Sequence, residues 1–355
     1  MPYLNLWSCM KSDKVLITGV TGQDGSLLAK LLAEQGKKVF GTYRKTSSNY
    51  LNKIQEIGIL DSIQLVEYQI GQTLELIELL RDNKFESIYH LAGESMTSDS
   101  LLHPNQTINT NTQGVIDLLE GVNRFSKESK IFIAGSSEIF DNTNQKGSFK
   151  TVTEDDPKKP RNPYGVSILA NMNLANIYRE QFGLTIAFGI MFNHESPLRG
   201  EQFITRKITK GLAELKYRNG NVLSIGSFDS KRDWGSASDF VVGMQTMIDL
   251  SLNDSYILAT GKLNSVREIL TICCNDLGYD PVFVDEGVNE SLVDGVSGQT
   301  LVKINSKFFR KFDDKYIVGD ATKLKNISGW KNTTEFESII LEMCRYDAEK
   351  ARQKY

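Results

Sequence analysis

The chain has 355 residues, of which 40% are apolar and 24% are charged, and its formal net charge is −3. This length suggests about two domains, and the apolar content is enough for a large buried core. The mixed charges give no basic surface of the kind that binds nucleic acid or membranes, and no run approaches the roughly 18 apolar residues that a membrane helix requires.

The first predicted element follows a segment, residues 1–11, that lacks the basic and apolar regions of a secretion signal. We expect this segment to be an extension outside the domains.

"KVLITG" (Lys14–Gly19) has the composition of a buried strand, and the leucines of residues 27–32 then recur at helical spacing until Gly36 ends the pattern. The chain therefore opens with a strand, a turn and a helix.

The turn between that strand and helix, "TGVTGQDGS", places Gly19, Gly22 and Gly25 in a GxxGxxG spacing. Backbone N–H groups at the positive end of a helix bind a pyrophosphate, and glycine lets the phosphates approach the backbone closely. The position after a first strand predicts a dinucleotide site, and the alternative is a glycine-rich turn without a ligand.

The second strand, "KVFGTY", is followed by Arg44, Lys45 and Ser47. An acidic residue at this point would bind a ribose 2′-hydroxyl, whereas two cations and a hydroxyl suit a 2′-phosphate. The sequence therefore favours NADP over NAD as the cofactor, and the alternative is a solvated basic loop.

Strands and helices continue to alternate as far as about Met191. The further strands are "IQLVEY", "SIYHLAG", "KIFIAGS" and "LTIAFGI", and the helices lie near residues 74–81, 109–125 and 164–182. This order predicts an α/β fold with a Rossmann-like, doubly wound parallel sheet over residues 12–190.

Beyond Met191 the pattern loosens into loops and shorter helices. We predict a smaller, mixed α/β substrate domain formed by residues 191–232 and 261–350. The amphipathic segment within residues 233–260 is expected to pack back onto the first domain.

The cysteines and histidines give no sign of a metal site. Three histidines argue against a histidine-based site, and the adjacent cysteines of the C-terminal half are expected to be buried thiols in a reducing cytoplasm. None of the four cysteines has the spacing of a metal ligand: Cys9, Cys273, Cys274 and Cys344.

Several motifs together resemble one enzyme family. The glycine turn, "AGSSE" (Ala134–Glu138) and Tyr164 are similar to those of extended short-chain dehydrogenases/reductases. "NHESPLRGEQFITRKIT" (Asn193–Thr209) and "RDWGSASDF" (Arg232–Phe240) narrow the resemblance to the GDP-mannose 4,6-dehydratase family, over roughly Lys14–Asp347. The resemblance implies a homodimer or homotetramer that uses NADP in an internal hydride cycle to convert a GDP-hexose to a 4-keto-6-deoxy sugar.

The resemblance also implies residue roles. Tyr164 would be the base at the 4-hydroxyl, Glu138 would remove the C5 proton and assist loss of the C6 hydroxyl, and Ser136 replaces a threonine that binds the 4-oxygen. Asn111 matches a structural asparagine near the active site. The implied substrate-binding residues are Asn193, Lys207, Arg232 and Arg310. The implied cofactor-binding positions are Gly19, Gly22, Gln23, Asp24, Gly25, Arg44, Lys45, Ser47, Gln69, Ile70, Leu91, Ile168, His194 and Arg199.

The main departure from the family pattern is Ile168, which stands where a lysine is expected four residues after the tyrosine. A free tyrosine has a pKa of about 10; a nearby ammonium stabilises its anion, whereas an apolar neighbour disfavours the anion by desolvation. Gln69 replaces an adenine-binding aspartate, and Gln106 replaces a cofactor-contacting tyrosine. The changes concentrate around the cofactor, which predicts altered cofactor handling with nucleotide-sugar binding retained.

Three hypotheses follow for the function. The first is a 4,6-dehydratase of GDP-mannose or a related GDP-hexose, which the joint retention of Ser136, Glu138 and Tyr164 favours. The second is an NADP-dependent C4 epimerase or reductase of a nucleotide sugar, which would need Tyr164 but not Glu138. The third is a non-catalytic GDP-sugar-binding protein, which Ile168 favours.

Overall fold

The computed structural model describes residues 12–45, 51–141, 149–308 and 316–353. Its helices are α1 (Gln23–Glu34), α2 (Asn52–Glu56), α3 (Thr73–Asp82), α4 (Thr97–Leu102), α5 (Pro104–Phe125), α6 (Pro163–Phe182), α7 (Ile204–Arg218), α8 (Ala237–Asp249), α9 (Val266–Asp276), α10 (Thr322–Ser328) and α11 (Phe336–Gln353). Its strands are β1 (Lys14–Thr18), β2 (Lys38–Tyr43), β3 (Ile63–Glu67), β4 (Ser87–His90), β5 (Lys130–Ala134), β6 (Phe149–Val152), β7 (Ile186–Met191), β8 (Asn193–Glu195), β9 (Leu223–Ile225), β10 (Lys231–Arg232), β11 (Trp234–Ser236), β12 (Ser255–Leu258), β13 (Asn264–Ser265), β14 (Pro281–Val284), β15 (Ser291–Asp294), β16 (Thr300–Ile304) and β17 (Tyr316–Gly319).

The main sheet confirms the predicted α/β class. Seven strands lie in the order β12-β7-β5-β4-β1-β2-β3, and the pairs from β7 to β3 are parallel. The strand order reverses between β1 and β4, and in such open sheets ligands bind outside the carboxyl ends of the strands at this switch point. The ends of β1, β2, β4 and β5 are therefore where a dinucleotide site is expected.

Helix α6 has clear start and stop signals. Asn162 is its N-cap in an extended conformation, and Pro163 occupies the first turn, where a missing N–H costs nothing. The helix ends at Gly183, whose φ of 69° lies in the left-handed region that glycine adopts without strain. The predicted bounds, residues 164–182, therefore agree with the structure to within one residue.

The chain divides into two compact units. The first comprises the described residues up to Ile139, together with Pro160–Gly189 and Met244–Ser255. The second comprises the described residues within 140–159, Ile190–Gly243 and the described residues from Tyr256 onwards. Strand β6, which lies within the predicted range of the first domain, pairs in parallel with β17 of this second unit.

The second unit contains more regular structure than the sequence indicated. A four-stranded sheet has the order β14-β15-β16-β9, and α7, α9 and α11 pack around a shared apolar core that includes buried Trp234, Phe228 and the thiols of Cys273, Cys274 and Cys344. The predicted mixed α/β composition is confirmed for this region, with more regular structure than the loops that the pattern indicated. None of the helices in the described ranges is long and apolar enough to span a membrane.

Candidate functional site

The glycine turn after β1 is so tightly folded that side chains would not fit at two of its three glycines. Gly19 has a φ of +74°, and a Cβ there would lie 2.9 Å from backbone atoms of Ala92. A Cβ on Gly25 would lie 2.4 Å from the carbonyl oxygen of Gly19. Gly22 is the N-cap of α1, and its carbonyl accepts the N–H of Ser26. The turn thus brings bare backbone to a helix N-terminus, which fits a pyrophosphate.

Two buried side chains, Thr18 at the end of β1 and His90 at the end of β4, connect these two strands next to the glycine turn. The Thr18 hydroxyl oxygen accepts the N–H groups of Leu91 and Ala92 at 3.2 and 3.3 Å, and it lies 3.0 Å from Nδ1 of His90. Burial lowers the pKa of His90 to about 4.

The His90 pKa predicts a loss of stability in mild acid. Below pH 6.5 the unfolded chain binds a proton that the folded chain does not bind until about pH 4, so the free energy of unfolding falls as the pH falls through this window. The contribution of this residue is about 3 kcal/mol. Urea unfolding at several pH values is expected to show a weaker pH dependence for His90→Gln than for the parent; parallel curves would contradict this assignment.

Arg44 and Lys45 follow β2, at the strand end where the dinucleotide site is expected. Arg44 is 55% exposed, and its Nη1 lies 4.0 Å from Oε1 of Glu94, which follows β4. The backbone N–H and carbonyl of Glu94 are both bound by the side chain of Asn111. Lys45 is exposed, and Ser47 lies outside the described residues.

The other predicted cofactor positions of the first unit lie at strand ends and at the start of α1. Gln69 is exposed after β3, and its N–H donates to the side chain of Gln72 at 2.8 Å. Ile70 faces α5, because a Cβ on Gly114 would lie 3.1 Å from its side chain. Gln23 and Asp24 begin α1 and share a side-chain hydrogen bond of 3.0 Å.

The predicted catalytic residues Ser136 and Glu138 follow β5. Gly135 has no room for a side chain, since a Cβ would lie 2.3 Å from the ring of Phe188, and the chain then forms a single 3₁₀ turn, Ser137–Ile139. The Ser136 hydroxyl oxygen accepts the N–H of Glu138 at 3.3 Å. Oε2 of Glu138 accepts a hydrogen bond of 2.7 Å from Nδ2 of Asn162.

Tyr164 lies in the first turn of α6, directly against the Glu138 turn. A Cβ on Gly165 would lie 2.3 Å from the carbonyl oxygen of Glu138, so only glycine permits this approach. The carbonyl of Tyr164 accepts the hydroxyl of Ser167 at 2.7 Å, and Ser167 in turn accepts from Nδ2 of Asn111 at 3.0 Å. The backbone of Tyr164 is thus fixed beside the turn that carries Ser136 and Glu138.

Ile168 lies one turn after Tyr164 and is only 5% exposed. Side chains four residues apart share a face of a helix. The position that would present an ammonium beside the tyrosine is therefore occupied by a buried butyl group.

The second unit holds the other predicted positions. Asn193 and His194 lie on β8, which pairs in parallel with β11. His194 stacks on Phe240 at 4.6 Å between ring centroids, and its Nδ1 lies 2.7 Å from the carbonyl oxygen of Phe192. Arg199 pairs with the buried carboxylate of Glu195, with Nε 3.3 Å from Oε2, and lies over the ring of Phe203.

Two predicted substrate-binding cations, Lys207 and Arg232, also belong to this unit. Nζ of Lys207 donates to the carbonyl oxygen of Ser224 at 2.6 Å, and burial lowers the pKa of this lysine. Arg232 is partly exposed on β10. Arg310 lies outside the described residues.

Sequence reasoning missed Asn162 and Asp233. Asn162 precedes a proline at a helix start, which is a cap signal, but its contact with Glu138 is visible only in the structure. Asp233 is buried and accepts hydrogen bonds from the backbone of Thr260, Gly261 and Gly319, while burial raises its pKa. It supports the fold beside Arg232.

Comparison with known proteins places the chain among nucleotide-sugar enzymes. A model of the family described as GDP-mannose 4,6 dehydratase matches residues 16–343. The GDP-mannose 4,6-dehydratase of Sinorhizobium fredii is 33% identical over 341 residues, which cover 94% of this chain and 95% of that protein.

Two solved structures share the fold. One is dTDP-glucose 4,6-dehydratase from Streptomyces venezuelae with NAD and TYD bound, which has a TM-score of 0.78 at 20% identity and covers 95% of this chain and 97% of its own. The other is RMD from Pseudomonas aeruginosa complexed with NADPH, which has a TM-score of 0.74 at 17% identity and covers 95% and 99% of the two chains. At these identities the likeness concerns the fold.

Proposed function

The chain belongs to the GDP-mannose 4,6-dehydratase family, and we propose that it is a lyase that converts GDP-mannose or a related GDP-hexose to the 4-keto-6-deoxy sugar. This proposal rests on one observation: Glu138 lies beside the first turn of α6, which contains Tyr164. A C4 oxidation needs only a base at the 4-hydroxyl, whereas loss of water across C5 and C6 needs a second acid–base group. Glu138 supplies that group.

A nicotinamide dinucleotide fits the glycine turn, since close packing of Gly19 and Gly25 brings the turn to the N-terminus of α1, where backbone N–H groups bind a pyrophosphate. When bound, NADP would accept the C4 hydride and later return it to C6. The residues proposed to hold it are those of the glycine turn, with Gln23 and Asp24, and those at the ends of β2, β3 and β4.

Three side chains of the first unit are proposed to take part in the proton transfers and in binding the 4-oxygen. Tyr164 is proposed to take the proton of the 4-hydroxyl, and the Ser136 hydroxyl to hold the 4-oxygen as it becomes a carbonyl. Glu138 takes the C5 proton and then gives it to the departing C6 hydroxyl. Removal of such groups has effects that reach several orders of magnitude in rate, so each role is open to test by substitution.

Substrate contacts are proposed for Asn193, Lys207 and Arg232, with Arg310 as a further candidate. Lysine and arginine are suited to a pyrophosphate because their charge-assisted hydrogen bonds are about twice as strong as neutral ones. Burial disfavours the charged form of Lys207, so a bound anion would stabilise the ammonium.

We propose NADP rather than NAD as the cofactor, because Arg44 and Lys45 offer charge to a 2′-phosphate. Arg44→Asp is expected to raise the dissociation constant of NADP(H) by about 10- to 100-fold, the loss of one hydrogen bond to a charged group, and to leave that of NAD(H) nearly unchanged. Calorimetric titration of both cofactors measures this difference. Arg81→Asp, at an exposed arginine of α3, is the control. Equal affinity of the parent for both cofactors would contradict the proposal.

We also propose that the chain self-associates through the outer face of its first unit. α6 carries Val166 and Ile177, which are 46% and 48% exposed, and neighbouring α4 carries Leu101 and Leu102, which are 65% and 73% exposed. Apolar groups on one face of adjacent helices are typical of a two-fold interface. Light scattering at micromolar concentration is expected to show a dimer or tetramer, and Val166→Asp with Ile177→Asp a smaller species. A monomeric parent in the presence of cofactor would contradict this.

A second candidate function, a non-catalytic GDP-sugar-binding protein, is favoured by the buried Ile168. Such a protein would bind a GDP-sugar saturably and turn none over. Incubation with GDP-mannose and NADP⁺, together with calorimetric titration of GDP-mannose, separates the two candidates.

A further inference from the structure

Asn162 connects the two halves of the candidate site, Glu138 after β5 and Tyr164 on α6. Its Oδ1 accepts the N–H of Gly165 at 2.8 Å, and its Nδ2 donates to Oε2 of Glu138 at 2.7 Å. Because only the amide oxygen can accept the helix N–H, the orientation of the amide is fixed and Nδ2 must face the carboxylate. One side chain therefore caps the helix and holds Glu138.

The surrounding backbone leaves this contact little freedom. Asn162 has φ −145° and ψ 161°, the extended conformation that a residue before proline prefers. Gly165 contacts the carbonyl of Glu138 with no space for a Cβ, and the N–H of Glu138 is bound to Ser136. Both partners of the Asn162–Glu138 bond are thus held by their own local structure.

We propose that Asn162 is a positioning residue that keeps the Glu138 carboxylate where it can serve both C5 and C6 of the sugar. The proposal rests on the proposed function. With Oε2 held by Asn162, the proton enters and leaves through Oε1. The C5–H bond breaks to form Oε1–H, and its electron pair forms the C4–C5 double bond of an enolate as the 4-carbonyl oxygen takes negative charge. The carbonyl then re-forms, the C4–C5 electron pair becomes the C5–C6 double bond, and the C6–O bond breaks as its oxygen takes the proton from Oε1 and leaves as water.

The choice of asparagine at this cap follows from the same contact. Serine caps a helix about as well as asparagine does. A serine, however, has one oxygen in place of two separate polar atoms, so a serine that caps α6 from the position of Oδ1 leaves the position of Nδ2, beside Glu138, without a donor atom. Asn162→Ser therefore removes the contact with Glu138 while keeping the cap.

The test measures two steps separately, oxidation at C4 and elimination of water, after GDP-mannose and NADP⁺ are added. In Asn162→Ser we expect elimination of water to slow by about 10- to 100-fold, since small misplacements of a reacting group have effects of this size. Oxidation at C4 should change by less than about 3-fold, because Tyr164 keeps its place on a capped helix. Reduced nicotinamide should then accumulate in the steady state, which absorbance records. Asn173→Ser, the same substitution on the exposed face of α6, should behave as the parent.

Two outcomes of this assay would overturn the proposal: an unchanged elimination rate in Asn162→Ser, or an equal slowing of both half-reactions, which would indicate a merely structural role.

A second measurement keeps this proposal separate from the proposed function. A double-mutant cycle of Asn162→Ser and Glu138→Ala, followed by urea unfolding, is expected to show a coupling of about 5-fold in the unfolding equilibrium constant. A coupling near 1 would overturn the positioning role. A further outcome is that the parent protein shows the coupling between Asn162 and Glu138 and yet oxidises no GDP-hexose. That result would contradict the proposed function, whereas the hydrogen bond between Asn162 and Glu138 would be confirmed.

Discussion

Glu138→Gln is expected to lower formation of the 4-keto-6-deoxy product by about 10²- to 10⁴-fold, the usual loss when a general acid–base group is removed. A glutamine side chain has nearly the same shape as glutamate and can still accept the hydrogen bond from Asn162, which is 2.7 Å long in the parent. It cannot, however, take a proton from C5. The substitution therefore removes the chemistry and keeps the geometry.

The same variant separates dehydration from other chemistry at C4. An epimerase or reductase would need Tyr164 but not Glu138, so its rate would change little in Glu138→Gln. The measurement is product formation from GDP-mannose by mass spectrometry, with Glu128→Gln, at an exposed glutamate of the same unit, as the matched control. Full activity in Glu138→Gln would exclude the proposed role of Glu138.

Ile168→Lys is expected to raise turnover at neutral pH by about tenfold for each unit by which the new ammonium lowers the pKa of Tyr164, the proposed base. A free tyrosine has a pKa of about 10, so the parent is expected to work faster as the pH rises above neutrality. An ammonium four residues along the helix lies on the same face as Tyr164 and stabilises its anion. The pH profile of turnover should therefore move toward neutral pH.

The environment of Ile168 sets the cost of this substitution. The isoleucine is 5% exposed, and a lysine there must remove an ammonium from water unless its stem reaches a polar partner. Ile168→Met, which keeps the apolar character and approximate volume, is the control and should leave the pH profile unchanged. If Ile168→Lys folds and binds nucleotide but turns over no GDP-hexose, the non-catalytic hypothesis becomes the better one.

The first unit could be predicted closely because its strands and helices alternate and are built from local apolar patterns. The predicted bounds of β2, Lys38–Tyr43, agree with the structure. The start of α5 was placed five residues late, at Asn109, because the first turn from Pro104 is polar and gives no helical repeat of apolar residues. Pro104 at the first position was the available signal.

The second unit was harder to predict because its sheet is made from short strands that are distant in sequence. β9 has three residues, Leu223–Ile225, and pairs with β16, Thr300–Ile304. A three-residue strand is too short to show an alternation of apolar and polar side chains. Such pairing depends on tertiary packing that no local pattern reveals.

The candidate site could also be predicted only in part from the sequence. Motifs identified Glu138 and Tyr164, and the family comparison confirms the resemblance on which their roles rest. The contact between Glu138 and Asn162 joins residues 24 positions apart and depends on how the turn after β5 meets the start of α6. The roles of the individual residues stay predictions, because they concern chemistry that substitution must test.

The most direct test of the central claim is incubation of the protein with GDP-mannose and NADP⁺, with the products followed by mass spectrometry. The proposed function predicts a GDP-sugar lighter by one water, which carries a 4-keto group, and no net consumption of NADP⁺, because the hydride taken from C4 returns to C6. A product of unchanged mass or one reduced at C4, or saturable binding of GDP-mannose without any product at pH values up to the alkaline range, would contradict it.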